Sequence, residues 1–135
     1  MFIATKPLSI LAAVLLAVTA CGFDPCGNTV TRRLPSPSAT RTAVVFERSC
    51  GAATSRAGRG VSILMGRDTT LSPPDKGNVY LNDNQRHRTS SRAPTDVEIS
   101  WDSDTVLVVR QPVDAHVVFA AIRFAGITIK YDTLR

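Results

Sequence analysis

Apolar and polar positions fall into three regimes along the chain. The first is one apolar block, Leu8-Ser9-Ile10-Leu11-Ala12-Ala13-Val14-Leu15-Leu16-Ala17-Val18, preceded by a short segment whose single charge is Lys6. Eleven residues of helix reach only about 16 Å, roughly half of a bilayer core. The block therefore has the dimensions of a signal-peptide apolar region and is too short to span a membrane. The second regime, Asp24 to Arg41, is rich in Pro, Ser, Thr and Arg ("RRLPSPSATR") and reads as tether and turn. The third begins at Thr42 and consists of short β-branched or alternating runs separated by turn residues.

Within that third regime, "TAVVFERS" (Thr42–Ser49) predicts a strand ending at Cys50. "GAATSRAGRG" (Gly51–Gly60) reads as a small-residue loop, and "VSILM" (Val61–Met65) as an antiparallel return. Residues 66–96 are the least regular, with one short strand candidate, "NVYL" (Asn78–Leu81), and the polar run "NDNQRHRTSSR". A polar excursion of this length inside a compact domain is usually functional or mobile. From Val97 the period of two is clear, with Val97, Ile99 and Trp101 on one face and Glu98 and Ser100 on the other. "DSD" (Asp102–Asp104) turns the chain into "TVLVVRQ" (Thr105–Gln111). "HVVFAAIRF" (His116–Phe124) is apolar on both faces, the pattern of a central strand. Ala125-Gly126 then predicts a two-residue hairpin turn into "ITIKY".

No segment beyond the first block has a helical period. Seven short strands predict an all-β domain, a small antiparallel β-sandwich or half-open barrel. The expected organisation is a signal peptide over 1–20, a lipidated tether and linker over 21–41, and a β domain over 42–135.

The apolar block ends in Val18-Thr19-Ala20-Cys21, which resembles the lipobox of bacterial lipoproteins. The resemblance implies cleavage before Cys21, whose thiol carries diacylglycerol and anchors the mature chain to a membrane. Val18-x-Ala20 also satisfies the small-residue rule of an ordinary secretory signal, which cuts the same bond. The chain has 3 cysteines, an odd number for an exported protein. With Cys21 taken by lipid, Cys26 and Cys50 remain as an even pair in an oxidising compartment. A bridge closing a loop of about 25 residues stabilises a fold by roughly 3 kcal/mol on the chain-entropy account. The alternative is two unpaired thiols. Two cysteines and 2 scattered histidines make a poor zinc site, so no metal is expected.

Removing residues 1–20 from the 135 leaves one domain by length, and the net charge falls from +5 to +4 because only Lys6 is lost. A basic exported chain suits anionic lipid headgroups, acidic polysaccharide or nucleic acid, or more broadly an anionic surface. A mildly unbalanced solvated surface explains the same charge.

Further residues resemble a family of small exported bacterial proteins of unknown function. They are Ser36-Pro37, Val45-Phe46, Arg48, Cys50-Gly51-Ala52, Thr54, Val61-Ser62-Ile63-Leu64, Gly77-Asn78-Val79 and Trp101. Departures are Ser38-Ala39 where Asp-Gly is usual, Ser49 where an acid precedes cysteine, and Tyr80 for Phe. The resemblance implies export and architecture and carries no activity.

Candidate chemistry is sparse. His87 and His116 could join Ser90 or Ser103 in a hydrolase, but no nucleophile-elbow pattern is present. Glu47 and Glu98 could form a carboxylate pair, although solvent-facing strand positions explain both. "GRG" around Arg59 lacks the Gly-Lys-Ser/Thr and helix of a phosphate loop. "ERSCGAATS" (Glu47–Ser55) reads as a disulfide corner or a loop presented by one. "RHRTSSR" offers Arg86, His87, Arg88 and Arg92 as a candidate anion-binding loop. Without interleaved aromatics it makes no single-stranded nucleic-acid platform, so no nucleic acid is expected as partner.

The sequence thus points to a non-enzymatic lipoprotein of the cell envelope, held to a membrane through its N-terminal lipid. It would act as a binding module for an envelope protein or anionic surface, with no cofactor. An inhibitor or accessory protein of an envelope enzyme is the alternative, and a hydrolase a third.

Overall fold

The computed structural model describes residues 26–50, 56–66, 70, 71, 75–83 and 96–134. The apolar block, Cys21, and the loop arginines and histidine Arg86, His87, Arg88 and Arg92 lie outside them, as does Ser90. The strands, in chain order, are β1 (Cys26–Pro35), β2 (Arg41–Cys50), β3 (Arg56–Met65), β4 (Tyr80–Asp83), β5 (Glu98–Ser103), β6 (Val106–Pro112), β7 (His116–Ala120), β8 (Arg123–Phe124) and β9 (Ile127–Leu134). Sheet A has the order β1-β2-β3-β4-β7 and sheet B the order β5-β6-β9-β8. No helix occurs among the described residues. The expected all-β class is what forms, as an open two-sheet sandwich rather than a closed barrel.

Alternation decides which side chains fill the space between the sheets. Ala43, Val45, Val61, Ile63, Val79 and Tyr80 come from the side of sheet A, and Val97, Ile99, Leu107, Val109, Ile127 and Ile129 from sheet B. Trp101, Phe124 and Tyr131 pack against this cluster. A fully buried aliphatic side chain of this kind is worth roughly 1.5–3 kcal/mol against exposure. A one-residue slip of any strand would turn that set into solvent, so the register is strongly specified. Polar ties join the sheets as well. The Tyr131 hydroxyl lies 2.8 Å from the Ala121 carbonyl and 3.1 Å from that of Val79. At one end, the Ser38 N–H and hydroxyl both donate to Asp104 Oδ1, at 2.8 and 2.7 Å.

Sheet A is buried on its second face too. Along β2, Val44, Phe46 and Arg48 point away from sheet B, yet are 0, 0 and 6% exposed. Residues 75–78 fold over this side. The Asp75 carbonyl accepts from Arg48 Nη1 (3.1 Å) and Asn28 Nδ2 (2.7 Å), while Asn78 pairs with β3. Phe46 fits only because its cross-strand partner is Gly60, where a Cβ would sit 2.2 Å from the ring.

Four expectations are corrected by the strand pairing. Residues 26–35, expected within the tether, form β1, which pairs antiparallel with β2 from Cys26↔Cys50 to Pro35↔Thr42. Their polar composition suits an edge strand that needs only one half-buried face. The expected loop 51–60 gives up Arg56–Gly60 to β3, paired with Phe46 to Cys50. Its glycines serve close approach there, rather than turn freedom. The run His116–Phe124 is two strands, not one central strand. β7 is the exposed edge of sheet A, and Ala121-Ile122 carries the chain across to β8 in sheet B. Its apolarity on both faces therefore reflects exposure on both faces, not double burial. Finally β6 and β9 are parallel, from Val106↔Thr128 to Pro112↔Leu134, because the chain leaves sheet B for β7 before returning. The predicted Ala125-Gly126 turn is present, with φ of 48° and 81° and Phe124 paired to Ile127.

Candidate functional site

Three clusters gather at the end of sheet A where β2 finishes and β3 begins. The first is the bridge. Cys26 and Cys50 are direct cross-strand partners and form a disulfide, with Cα atoms 3.9 Å apart. The expected pair is thus joined, and β1 is fastened to β2 at its first residue. Next to it, Arg48 donates to Asn28 Oδ1 (3.1 Å) and to the Asp75 carbonyl, which holds residue 75 over the sheet.

The second cluster is ionic. Arg59 on β3 bonds Glu47, its cross-strand partner on β2, and reaches Asp96 Oδ1 at 3.2 Å. Asp96 immediately precedes sheet B, so one guanidinium ties the two sheets at this end. Arg59 is a structural cation on a strand, and Glu47 is its partner. Glu98, the other carboxylate considered, is exposed on β5 opposite Arg110. The two glutamates belong to different sheets and different partners.

The third lies where β4 meets β7. His116 Nδ1 and Asp83 Oδ1 are 2.7 Å apart across the strand pair. Ser103 sits in the β5–β6 turn, beside Asp104 and the Ser38 turn, at the far end of the strands from His116. A Ser103–His116 site is therefore not assembled. Among the described residues, no group of three His, Cys, Asp or Glu side chains comes together as a metal site would need.

Beside this third cluster, on the face of sheet A turned away from sheet B, is a recess of about 250 Å³. It is lined by Arg48, Cys50, Gly58, Leu81, Asn82, Asp83 and Val118. Four strands contribute one to three residues each, so no local motif in the sequence marks it. One wall is the edge strand β7. Every residue of β7 is exposed, including Val117 (37%), Val118 (56%) and Phe119 (45%), and Ile122 beyond it is 74% exposed. Pairing with β4 skips a residue at Val118, since Leu81↔Phe119 is followed by Asn82↔Val117. Such a bulge re-aims the extra side chain, here into the recess wall.

The other sheet edges are guarded in ways β7 is not. β1 carries Arg32, Arg33, Pro35 and a register shift between Val30 and Arg32. β5 carries Glu98, Asp102 and a shift between Trp101 and Ser103. β8 is two residues long. Charge, proline, bulges and shortness are the usual defences of an edge against pairing with another chain. β7 has a bulge but no lysine, arginine, acid or proline between Val117 and Ala120.

Deep in the sandwich, burial and the neighbouring Tyr80 push the Tyr131 phenol up to about 12, and burial also raises that of Tyr80. Both remain neutral and structural, their rings 6.0 Å apart.

No protein-family model, no curated protein and no solved structure matches the chain. What the site can do is therefore argued from its own geometry.

Proposed function

We propose that this chain is a lipid-anchored, non-enzymatic interaction module of the cell envelope, and that it binds a partner protein along β7. The observation that carries this reading is an apolar edge strand without charge or proline between Val117 and Ala120, exposed along its whole length. Among the described residues β7 is an edge strand, and exposed valine and phenylalanine on such a strand suit addition of a strand from another chain. The ionic groups nearby support the same reading. Arg48, Arg59, Glu47, Asp83 and His116 are each engaged within the fold.

The membrane half of the proposal rests on Val18-Thr19-Ala20-Cys21 and on the likeness to exported proteins described above. With Cys26 fixed to Cys50, only residues 21–25 separate the lipid from the sandwich. Five extended residues span about 17 Å at most, which keeps the disulfide end close to the membrane.

Two measurements test this. The intact mass of the full chain extracted from membranes should show a diacylglyceryl group on Cys21, and an unlipidated mass overturns the anchor. A photoreactive amino acid at Phe119 should yield one defined protein adduct in intact cells, while the same group at Asp102 on the guarded edge of sheet B should not. Equal labelling at both positions, or none at Phe119, removes β7 as the contact.

A further inference from the structure

Resting on that reading, we infer that the partner presents an uncharged extended segment of about five residues, and that one of its apolar side chains enters the recess beside Val118. The segment's length follows from β7 itself, five residues from His116 to Ala120. Its chemistry follows from the walls. The recess is bounded by Leu81, Val118, Gly58 and the bridge cysteine Cys50, with Asn82 at its base. Its two charged walls, Asp83 and Arg48, are of opposite sign and already hydrogen-bonded, Asp83 Oδ1 to His116 Nδ1 at 2.7 Å and Arg48 to Asn28 Oδ1 and the Asp75 main-chain carbonyl. An added charge of either sign would meet a like charge on one of these walls and would lose its water. A volume near 250 Å³ accommodates a side chain of leucine or phenylalanine size. Edge pairing then supplies affinity through the main chain, and the recess supplies selectivity through one side chain.

The test uses the full chain in detergent and a panel of capped five-residue peptides of valine and threonine, with the central residue varied through every natural side chain. Amide hydrogen exchange is followed at Val117, Val118, Phe119 and Ala120. The leucine-centred peptide should slow these amides, and replacing its centre by glycine should weaken binding about tenfold or more. Lysine or glutamate at the centre should weaken it further. N-methylation of the amides on one edge of the peptide should abolish binding, and on the other edge leave it. Val118→Lys should remove binding with an unchanged circular dichroism spectrum.

The inference is overturned if no peptide protects β7 at millimolar concentration, or if glycine and leucine centres bind alike. It is also overturned if the chain alone protects β7 as its mass doubles with concentration. A defined adduct at Phe119 together with failure of the whole panel leaves the interaction module standing and removes only this mode of recognition.

Discussion

The indole N–H of Trp101 on β5 donates to the main-chain carbonyl of Leu34 on β1, 3.0 Å away. It links the first strand of sheet A to the first strand of sheet B, through the carbonyl of a residue that itself packs against the core. Trp101→Phe keeps most of the ring and deletes the donor. Urea unfolding should show a loss of about 1 kcal/mol, the net worth of such a bond. Trp101→Ala should cost clearly more, because Trp101 also packs against the core. Equal losses for the two would mean that the bond carries the whole contribution.

Gly60 and Phe46 are cross-strand partners packed with no room for a Cβ between them. A Cβ on residue 60 would lie 2.2 Å from the Phe46 ring, so Gly60→Ala forces the ring to move. Overpacking of this kind costs about 1–3 kcal/mol. The double change Gly60→Ala with Phe46→Leu should recover part of the loss, which a double-mutant cycle in denaturant would read as favourable coupling.

Asp104 gives a pH-dependent reporter of the turn-to-turn contact. The Ser38 main-chain N–H, followed by its hydroxyl, holds the Asp104 carboxyl below the usual aspartate range. A carboxylate lowered in the native state stabilises the fold above its unfolded value, and that contribution disappears as pH falls through the native one. Carbon-detected NMR titration should place Asp104 below an ordinary aspartate. Ser38→Ala should raise the midpoint only part of the way, because the main-chain donor remains. No change on that substitution would show that the hydroxyl contributes nothing.

Ala125 occupies the left-handed region at φ 48°, the first position of the β8–β9 turn. A side chain there costs about 1 kcal/mol or more, whereas asparagine tolerates it by bonding its own main chain. Ala125→Asn should therefore raise stability by about 0.5–1 kcal/mol in thermal unfolding. A lower melting temperature would contradict the assignment of the turn.

The β5–β6 hairpin and the β8–β9 turn could be read from the residues because their signals are local. "VEISW" alternates once per residue, and Ala125-Gly126 supplies the turn that two short apolar runs require. The bridge was legible from arithmetic, since assigning Cys21 to lipid leaves Cys26 and Cys50 to each other. β1 was not legible, because "CGNTVTRRLP" contributes hydrogen bonds more than apolar surface, and composition reports only surface. β7 misled for a related reason. "HVVFA" has the same pattern whether both faces are buried by protein or exposed. The parallel β6–β9 pair and the recess depend on where distant segments meet, so no spacing along the chain encodes them.

Two side-chain amides do the work of main chain around β4. Backbone pairing between β3 and β4 spans only Gly60↔Leu81 and Val61↔Tyr80. Asn78 extends it at one end, accepting from the Ile63 N–H at 2.8 Å and donating to the Ile63 carbonyl at 2.9 Å. Asn82 extends it at the other, accepting from the Arg59 N–H at 2.8 Å. A carboxylate of the same shape at Asn78 could still accept but not donate, and would face the Ile63 carbonyl with like polarity. The attachment of β4, and with it the placement of β7, thus hangs in part on a single side-chain nitrogen atom.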